Sequence, residues 1–374
     1  MSFYPYMKQY DPKDMESFVQ NVKPDDVRRV LAKHRLEPMD YLTLLSPVAT
    51  AFLEDMARKA HEMTVRQFGK TILLYTPMYL SDHCVNQCRY CGFNASISLS
   101  RSRLSLDDVD REAAVVSRTG LKHILILTGE SRSKSSPEYI GECVQRLARY
   151  FTSIAIEVYP LETFEYVDLV NKGVDALTLY QETYDESLYD TLHISGPKKN
   201  YLYRLNTPER ACQAGMRAVN IGALLGLDIF HRDTFMTGLH AWYLQRNYPE
   251  VDISVSFPRM RPHAGAFSPE HPVADKEMVQ AVTALRLFMP RSGITLSTRE
   301  TAEFRNNILP LGITKMSAGS CTQVGGRSKS DAATGQFDIS DERSVEEMAI
   351  DLAARGYQPV YKDWEPLSVF DEAV

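Results

Sequence analysis

Thr71-Ile72-Leu73-Leu74-Tyr75-Thr76-Pro77-Met78-Tyr79-Leu80, followed within a few residues by Cys84-Val85-Asn86-Gln87-Cys88-Arg89-Tyr90-Cys91, is the stretch from which the fold is read. The first part is rich in β-branched and aromatic residues and reads as a buried strand. The second places three thiols at CxxxCxxC spacing on one short loop, just past the strand's C-terminal end. Three thiolates this close can each hold one iron of a 4Fe-4S cluster. Such a cluster ordinarily takes four cysteines, so a fourth iron would be left without a protein ligand and open to a substrate. The residues by themselves also admit a zinc knuckle, which wants a fourth ligand from Cys143, Cys212, Cys321 or His83, or three unrelated buried thiols.

Outward from that loop the chain alternates. Downstream, strands are expected at His123–Leu127, Ile154–Val158, Asp175–Tyr180, Ala218–Leu225, Asp252–Phe257, Gly293–Ser297 and Ile313–Met316. Between them helices are expected at Ser105–Arg118, Pro137–Tyr150, Thr163–Asn171, Thr207–Gly215, Ile229–Asn247, Asp275–Phe288 and Glu300–Leu309. Ser105 is placed as an N-cap, with Asp107 and Asp108 favourable in the first turn. Eight strands alternating with helices imply a parallel sheet, and closing it into a TIM-like (β/α)8 barrel leaves no edges. Upstream, Asp11 to Phe68 is helical in pattern, with Pro24 and Pro38 at first turns. The expected organisation is an N-terminal helical layer (1–70), a barrel (71–320), and a C-terminal loop, helix and tail packing on it (321–374). Gly325–Phe337 is expected to be a mobile loop over the barrel mouth, and Ser344–Ala354 a helix before an extended end containing Trp364.

The chain has 374 residues, 44% of them hydrophobic, a formal charge of −6 and six cysteines. Lys and Arg are scattered, which argues against nucleic acid as a partner. No apolar run is long enough for a membrane span, and no signal-like segment opens the chain. Three of six cysteines in one loop point to a reducing compartment and metal use, so the expected location is cytoplasmic.

Chemistry-bearing residues recur after the expected strands: the cysteines, Gly129 and Glu130, Glu157 and Tyr159, Gln181-Glu182-Thr183, Gly222 and Gly226, Arg259, Ser297 and Arg299, then Ser317, Gly319 and Ser320. The cysteine spacing, with an aromatic residue directly before the last cysteine, resembles the signature of radical S-adenosylmethionine (SAM) enzymes. Thr128-Gly129-Glu130 is similar to that superfamily's Gly-Gly-Glu element, with Thr in place of the first glycine. Ile221-Gly222-Ala223-Leu224-Leu225-Gly226 resembles its adenine-contacting fifth strand. Leu179-Tyr180-Gln181-Glu182-Thr183-Tyr184, Ser256-Phe257-Pro258-Arg259, Leu296-Ser297-Thr298-Arg299-Glu300 and Ser317-Ala318-Gly319-Ser320 together resemble the aromatic-amino-acid lyases of this superfamily, in particular the tyrosine lyases of thiamin thiazole biosynthesis.

The resemblance implies a 4Fe-4S cluster on Cys84, Cys88 and Cys91, with SAM held by Tyr90, Gly129, Glu130, Glu157, Glu182, Arg204 and Gly222. It implies that Ser297 and Arg299 hold the carboxylate of L-tyrosine. A 5′-deoxyadenosyl radical made from SAM would break the tyrosine Cα–Cβ bond, giving 2-iminoacetate and p-cresol. Reduced flavodoxin or ferredoxin is the implied electron donor, and thiazole synthase the implied product acceptor. Three related readings stay open. One is a radical SAM enzyme of this kind acting on another aromatic amino acid. The second is the tyrosine lyase of hydrogenase maturation, whose extra C-terminal cysteines have no counterpart after Cys321 here. The third is biotin-synthase-like sulfur insertion, which needs a second cluster on later strands. Cys143 and Cys212 fall on helices and read as small buried hydrophobes. Cys321, after the last strand, is the one candidate for such a role.

Overall fold

The structure, a computed structural model, describes residues 2–262, 267–328 and 335–365. Its centre is a closed ring of parallel strands: β1 (Thr71–Ser81), β2 (His123–Thr128), β3 (Ser153–Glu157), β4 (Ala176–Glu182), β5 (Ala218–Ala223), β6 (Asp252–Ser256), β7 (Gly293–Leu296) and β8 (Lys315–Ser317). Each pairs with the next, and β1 pairs with both β8 and β2, which closes the barrel. Barrel strands are covered on both faces, so they read as nearly continuous apolar runs such as Ile124-Leu125-Ile126-Leu127 rather than as alternating ones. All eight expected strands are present, with ends shifted by one or two residues.

A ninth strand, β9 (Gln358–Val360), lies in the stretch expected only to be extended. It pairs with Thr71–Leu73 at the start of β1. Leu73 pairs with Val360 on one edge and with Lys315 on the other, so β9 fills the β1 edge below the point where β2 begins. Two short helices also went unread, Glu186–Leu192 and Tyr201–Leu205, in the long connection between β4 and the helix Thr207–Gln213. Each is too short to show a helical period.

The N-terminal helices Pro12–Asn21, Pro24–Leu31 and Pro38–Leu44 each open on proline, whose fixed φ suits a first turn. They pack outside the barrel on its later helices. Tyr41 is fully buried, stacks on Phe288 with ring centroids 4.7 Å apart, and donates its hydroxyl to the Thr234 carbonyl at 3.0 Å. Gly238 permits this approach, because a Cβ there would lie 2.4 Å from the Tyr41 ring. Gln280 then satisfies the carbonyls of Leu44 and Ser46, each at 2.9 Å. No described helix is long and apolar enough to cross a membrane.

The helix Val345–Ala354 buries Val345, Met348 and Leu352. Of the segment expected to be a mobile loop, 329–334 lie outside the described residues, whereas Gln336 and Phe337 sit on the cavity wall at the barrel mouth.

Candidate active site

The strand ends of β1 to β8 converge on two adjoining cavities. One is lined by Cys84, Cys88 and Cys91 together with Gly129, Glu130, Glu157, Glu182 and Arg204. The other, deeper in the barrel, is lined by Tyr90, Cys91, Glu157, Glu182, Ser297, Arg299, Tyr75, Tyr180 and Phe337 among others. Cys91, Glu157, Tyr180, Glu182, Lys198 and Gln336 border both.

The cysteine loop is held by main-chain bonds to two neighbouring segments. Val85 N–H donates to the Glu130 carbonyl at 2.9 Å, and Gln87 and Arg89 N–H donate to Ser195 and Leu192 at 3.0 Å each. Asn86 ties the same parts together: its amide donates to Glu130 at 2.6 Å and its Oδ1 accepts from Lys198 N–H at 2.9 Å. Gly196, at φ +98°, lies so close that a Cβ would meet Asn86 Oδ1 at 2.3 Å. Gly129 is just as constrained, with the His83 carbonyl 2.4 Å from where a Cβ would be. Its glycine character is therefore required by packing against the loop.

N–H donors are aimed at two of the three loop sulfurs. Phe93 N–H approaches Cys91 Sγ at 3.4 Å, Gln336 Nε2 approaches it at 3.9 Å, and Asn86 Nδ2 lies 3.7 Å from Cys84 Sγ. Burial pushes the Cys88 thiol up to about 12 and raises that of Cys91, and each sulfur feels its neighbours. Among the described residues no group of three His, Cys, Asp or Glu converges on one ion-sized point. Cys143 and Cys212 are buried in the hydrophobic core, away from both cavities. Cys321 is half-buried after β8 and lines neither cavity.

Glu182 is the non-glycine residue at positive φ among the described residues, at 76°. Such strain persists only where surroundings over-determine it. Here Glu182 Oε1 accepts from Lys198 Nζ at 2.6 Å and from Arg204 Nη2 at 3.2 Å, while Arg204 Nε donates to the Tyr180 carbonyl at 2.8 Å. Burial alone would push the Glu182 carboxyl up, but the two cations outweigh it and hold it below the usual range. Tyr90 is locked by the same segment. His193 Nδ1 donates to the Tyr189 carbonyl at 2.7 Å, so its Nε2 accepts from the Tyr90 hydroxyl at 2.6 Å. Burial lowers that imidazole to about 3, which keeps it neutral.

In the deeper cavity Arg299 makes no ion pair among the described residues. Its guanidinium lies over the Phe337 ring, 3.5 Å from the centroid. The adjacent carboxylate, Glu300, is taken by Arg259 and Arg261. Glu157, whose carboxylate has no hydrogen-bond partner among the described residues, is raised to about 7 by burial, against which Arg299 pulls downward. Ser297 lines the cavity beside Arg299 and accepts from Arg299 N–H at 3.4 Å.

Gly222, expected at the adenine, borders neither cavity as the structure stands, and a Cβ there would strike the Ser256 carbonyl at 2.3 Å and the Tyr180 ring at 2.8 Å. The structure thus uses this glycine to seat Tyr180. The sequence reading missed Asn86, His193, Lys198, Gln336 and Phe337. Asn86 had a signal, lying between the cysteines. The others come from loops and short helices with no motif of their own.

Comparison with known proteins agrees with this arrangement. Residues 78–236 match the radical SAM superfamily, and residues 256–358 match the biotin and thiamin synthesis associated domain. The 2-iminoacetate synthases of Escherichia coli (strain K12) and Salmonella typhimurium are each 38% identical over 359 residues, spanning 96% of this chain and 95% of theirs. The crystal structure of HydG, a maturase of the FeFe-hydrogenase, aligns at TM-score 0.89 with 28% identity, over 97% of this chain and 82% of that one. Methylornithine synthase shares the fold at TM-score 0.71 and 22% identity, over 93% of this chain and all of that one. Identity at this level along nearly the whole length settles the relationship: this chain belongs to the 2-iminoacetate synthase family of the radical SAM superfamily.

Proposed function

We propose that this protein is a radical SAM carbon–carbon lyase that cleaves L-tyrosine to 2-iminoacetate and p-cresol for thiamin thiazole biosynthesis. The observation that carries the reading is the pair of unpartnered, opposite charges in the deeper cavity, Arg299 and Glu157, directly beside the cysteine-lined cavity.

The residues fit the two implied cofactors. Three thiols bordering one cavity, with N–H donors directed at two of their sulfurs, suit thiolates bound one to an iron. A single zinc would need its ligands to converge more closely than any group among the described residues does. Cys84, Cys88 and Cys91 would hold a 4Fe-4S cluster, and the cluster with SAM would supply the radical that opens the reaction. Glu130, Glu157, Glu182 and Arg204 would hold SAM's polar groups, and the locked Tyr90 would border it.

The barrel's own work is positioning and exclusion of water. The Arg299 fork suits a carboxylate, with Ser297 as a second donor. Tyr75, Tyr79 and Tyr180 wall the lumen, and burial keeps all three hydroxyls protonated and neutral. An amino acid held by its carboxylate at Arg299 would thus present its Cα region to the cysteine-lined side. The electron donor is proposed to be a reduced flavodoxin or ferredoxin, and the acceptor thiazole synthase, since an imine hydrolyses in water.

The test is anaerobic reconstitution, then incubation with SAM, a reductant and each aromatic amino acid in turn. The expected result is p-cresol from tyrosine alone. Iron-loaded protein that cleaves SAM yet yields no p-cresol would overturn the substrate assignment.

A further inference from the structure

Residues 335–341 cross the barrel mouth as a strap. Gln336 N–H donates to the Thr322 carbonyl at 3.4 Å, Asp338 N–H to Pro262 at 3.1 Å, and Ser340 and Asp341 N–H to Thr298 at 2.9 and 3.2 Å. The strap is thereby tied to the loops after β6, β7 and β8. Its far end is fixed by Asp341, which pairs with the buried Arg305 and with Arg343. Its near end presses on the cysteine loop, where Gly92 has no Cβ because one would lie 2.3 Å from the Gln336 carbonyl.

Two successive side chains of this strap meet the two functional centres. The Tyr79 hydroxyl donates to Gln336 Oε1 at 2.7 Å. That bond fixes which way the amide faces and leaves its NH2 toward Cys91 Sγ, 3.9 Å away. The next residue, Phe337, sets its ring beneath the Arg299 guanidinium, whose Cζ is 3.5 Å from the ring centroid. Neither side chain is core; both are half-buried on the cavity wall.

We propose that Gln336 and Phe337 are positioning residues for the reaction, one for each centre. Gln336 directs an N–H at the Cys91 sulfur and so helps set the potential at which the bound cluster takes up its electron. Phe337 fixes the plane of Arg299 and so the pose of the substrate carboxylate. Donors at cluster sulfurs stabilise the extra negative charge of the reduced state, which raises its potential. An aromatic face beneath a guanidinium holds it by cation–π attraction while its N–H fork stays free. The inference rests on the family reading of the three cysteines.

The test compares wild type, Gln336→Met, Gln336→Glu and Phe337→Leu after anaerobic reconstitution, by iron content, by redox titration followed by electron paramagnetic resonance, and by KM and kcat for tyrosine. Methionine fills similar volume without a donor. Glutamate keeps the Tyr79 bond and replaces the donor with an oxygen, so it reads the potential even if methionine loosens the loop. Both Gln336 variants should keep wild-type iron and shift the cluster to lower potential, with tyrosine KM unchanged. Phe337→Leu should leave the potential in place and raise tyrosine KM roughly tenfold. Wild-type potentials in both Gln336 variants, or an unmoved KM in Phe337→Leu, would overturn the proposal and leave the family reading intact. Wild-type protein that takes up no iron would overturn both together.

Discussion

Glu157 and Arg299 stand at the ends of β3 and β7, on opposite sides of the barrel, and line the same cavity without bonding to each other. Arg299 is the strongest charge pulling the Glu157 carboxyl down, yet burial wins and leaves it near 7. A lumen that keeps the two apart leaves Glu157 toward the cysteine-lined cavity, where SAM is proposed to sit, and Arg299 for the substrate carboxylate.

Glu157 makes the first prediction, about stability and pH. Its folded pKa lies above the ordinary glutamate value of 4.5, so ionising it costs stability. The cost is absent below about 4.5, grows as pH rises, and levels off above about 7. Glu157→Gln should therefore raise the Tm of the cofactor-free protein at pH 8, by up to about 3 kcal/mol of stability, with no gain at pH 4. The same variant should bind SAM more weakly. Thermal melts across pH without cofactors, and calorimetry with SAM, check the two halves.

Arg299→Ala should keep wild-type iron content and SAM affinity and lose tyrosine cleavage by roughly 100- to 1,000-fold in kcat/KM, the usual cost of removing a charged anchor. Arg299→Lys should recover little, because an ammonium cannot reproduce the planar fork. Loss of the cluster in either variant would show that Arg299 does something else.

The thiols divide into two groups. Cys84→Ala, Cys88→Ala and Cys91→Ala should each abolish the brown chromophore after reconstitution. Cys143→Ala, Cys212→Ala and Cys321→Ala should each retain about four irons per chain. A content of roughly six to eight in wild type, falling to four in Cys321→Ala, would reveal a second cluster and restore the sulfur-insertion reading.

Gly238→Ala tests how the N-terminal layer is held. The new methyl would strike the Tyr41 ring and displace its hydroxyl from Thr234. Overpacking of this kind costs about 1–3 kcal/mol. A drop in Tm should appear with the cluster's iron content unchanged, and Tyr41→Leu in the same chain should relieve part of it. An additive double variant would mean the two residues do not meet.

The barrel was legible because its rule is local and repeated. Strands buried on both faces are apolar along their length, and each ends where a polar, often glycine-bearing loop begins, so Ile124–Leu127 or Ile253–Val255 announce themselves. The proposed ligand set was legible too, since Cys84, Cys88 and Cys91 are neighbours in the chain and border one cavity. Amino-acid order alone thus fixed the eight strands and the position of the cysteine loop, and it marked Glu130, Glu182, Arg204 and Arg299 as candidates.

What each of those candidates meets was decided only when the ring closed. Lys198 reaches Glu182 from a three-residue helical turn, and Gln336 and Phe337 arrive at Cys91 and Arg299 from 245 and 38 positions away along the chain. Gly222, marked in the sequence for its place on the fifth strand, also gives room to Tyr180, which only the closed ring brings against it. Periodicity records which face of an element is buried, a property of neighbours in sequence. Which charge goes unpaired is set by segments that loop closure brings together from afar, and no local pattern encodes it.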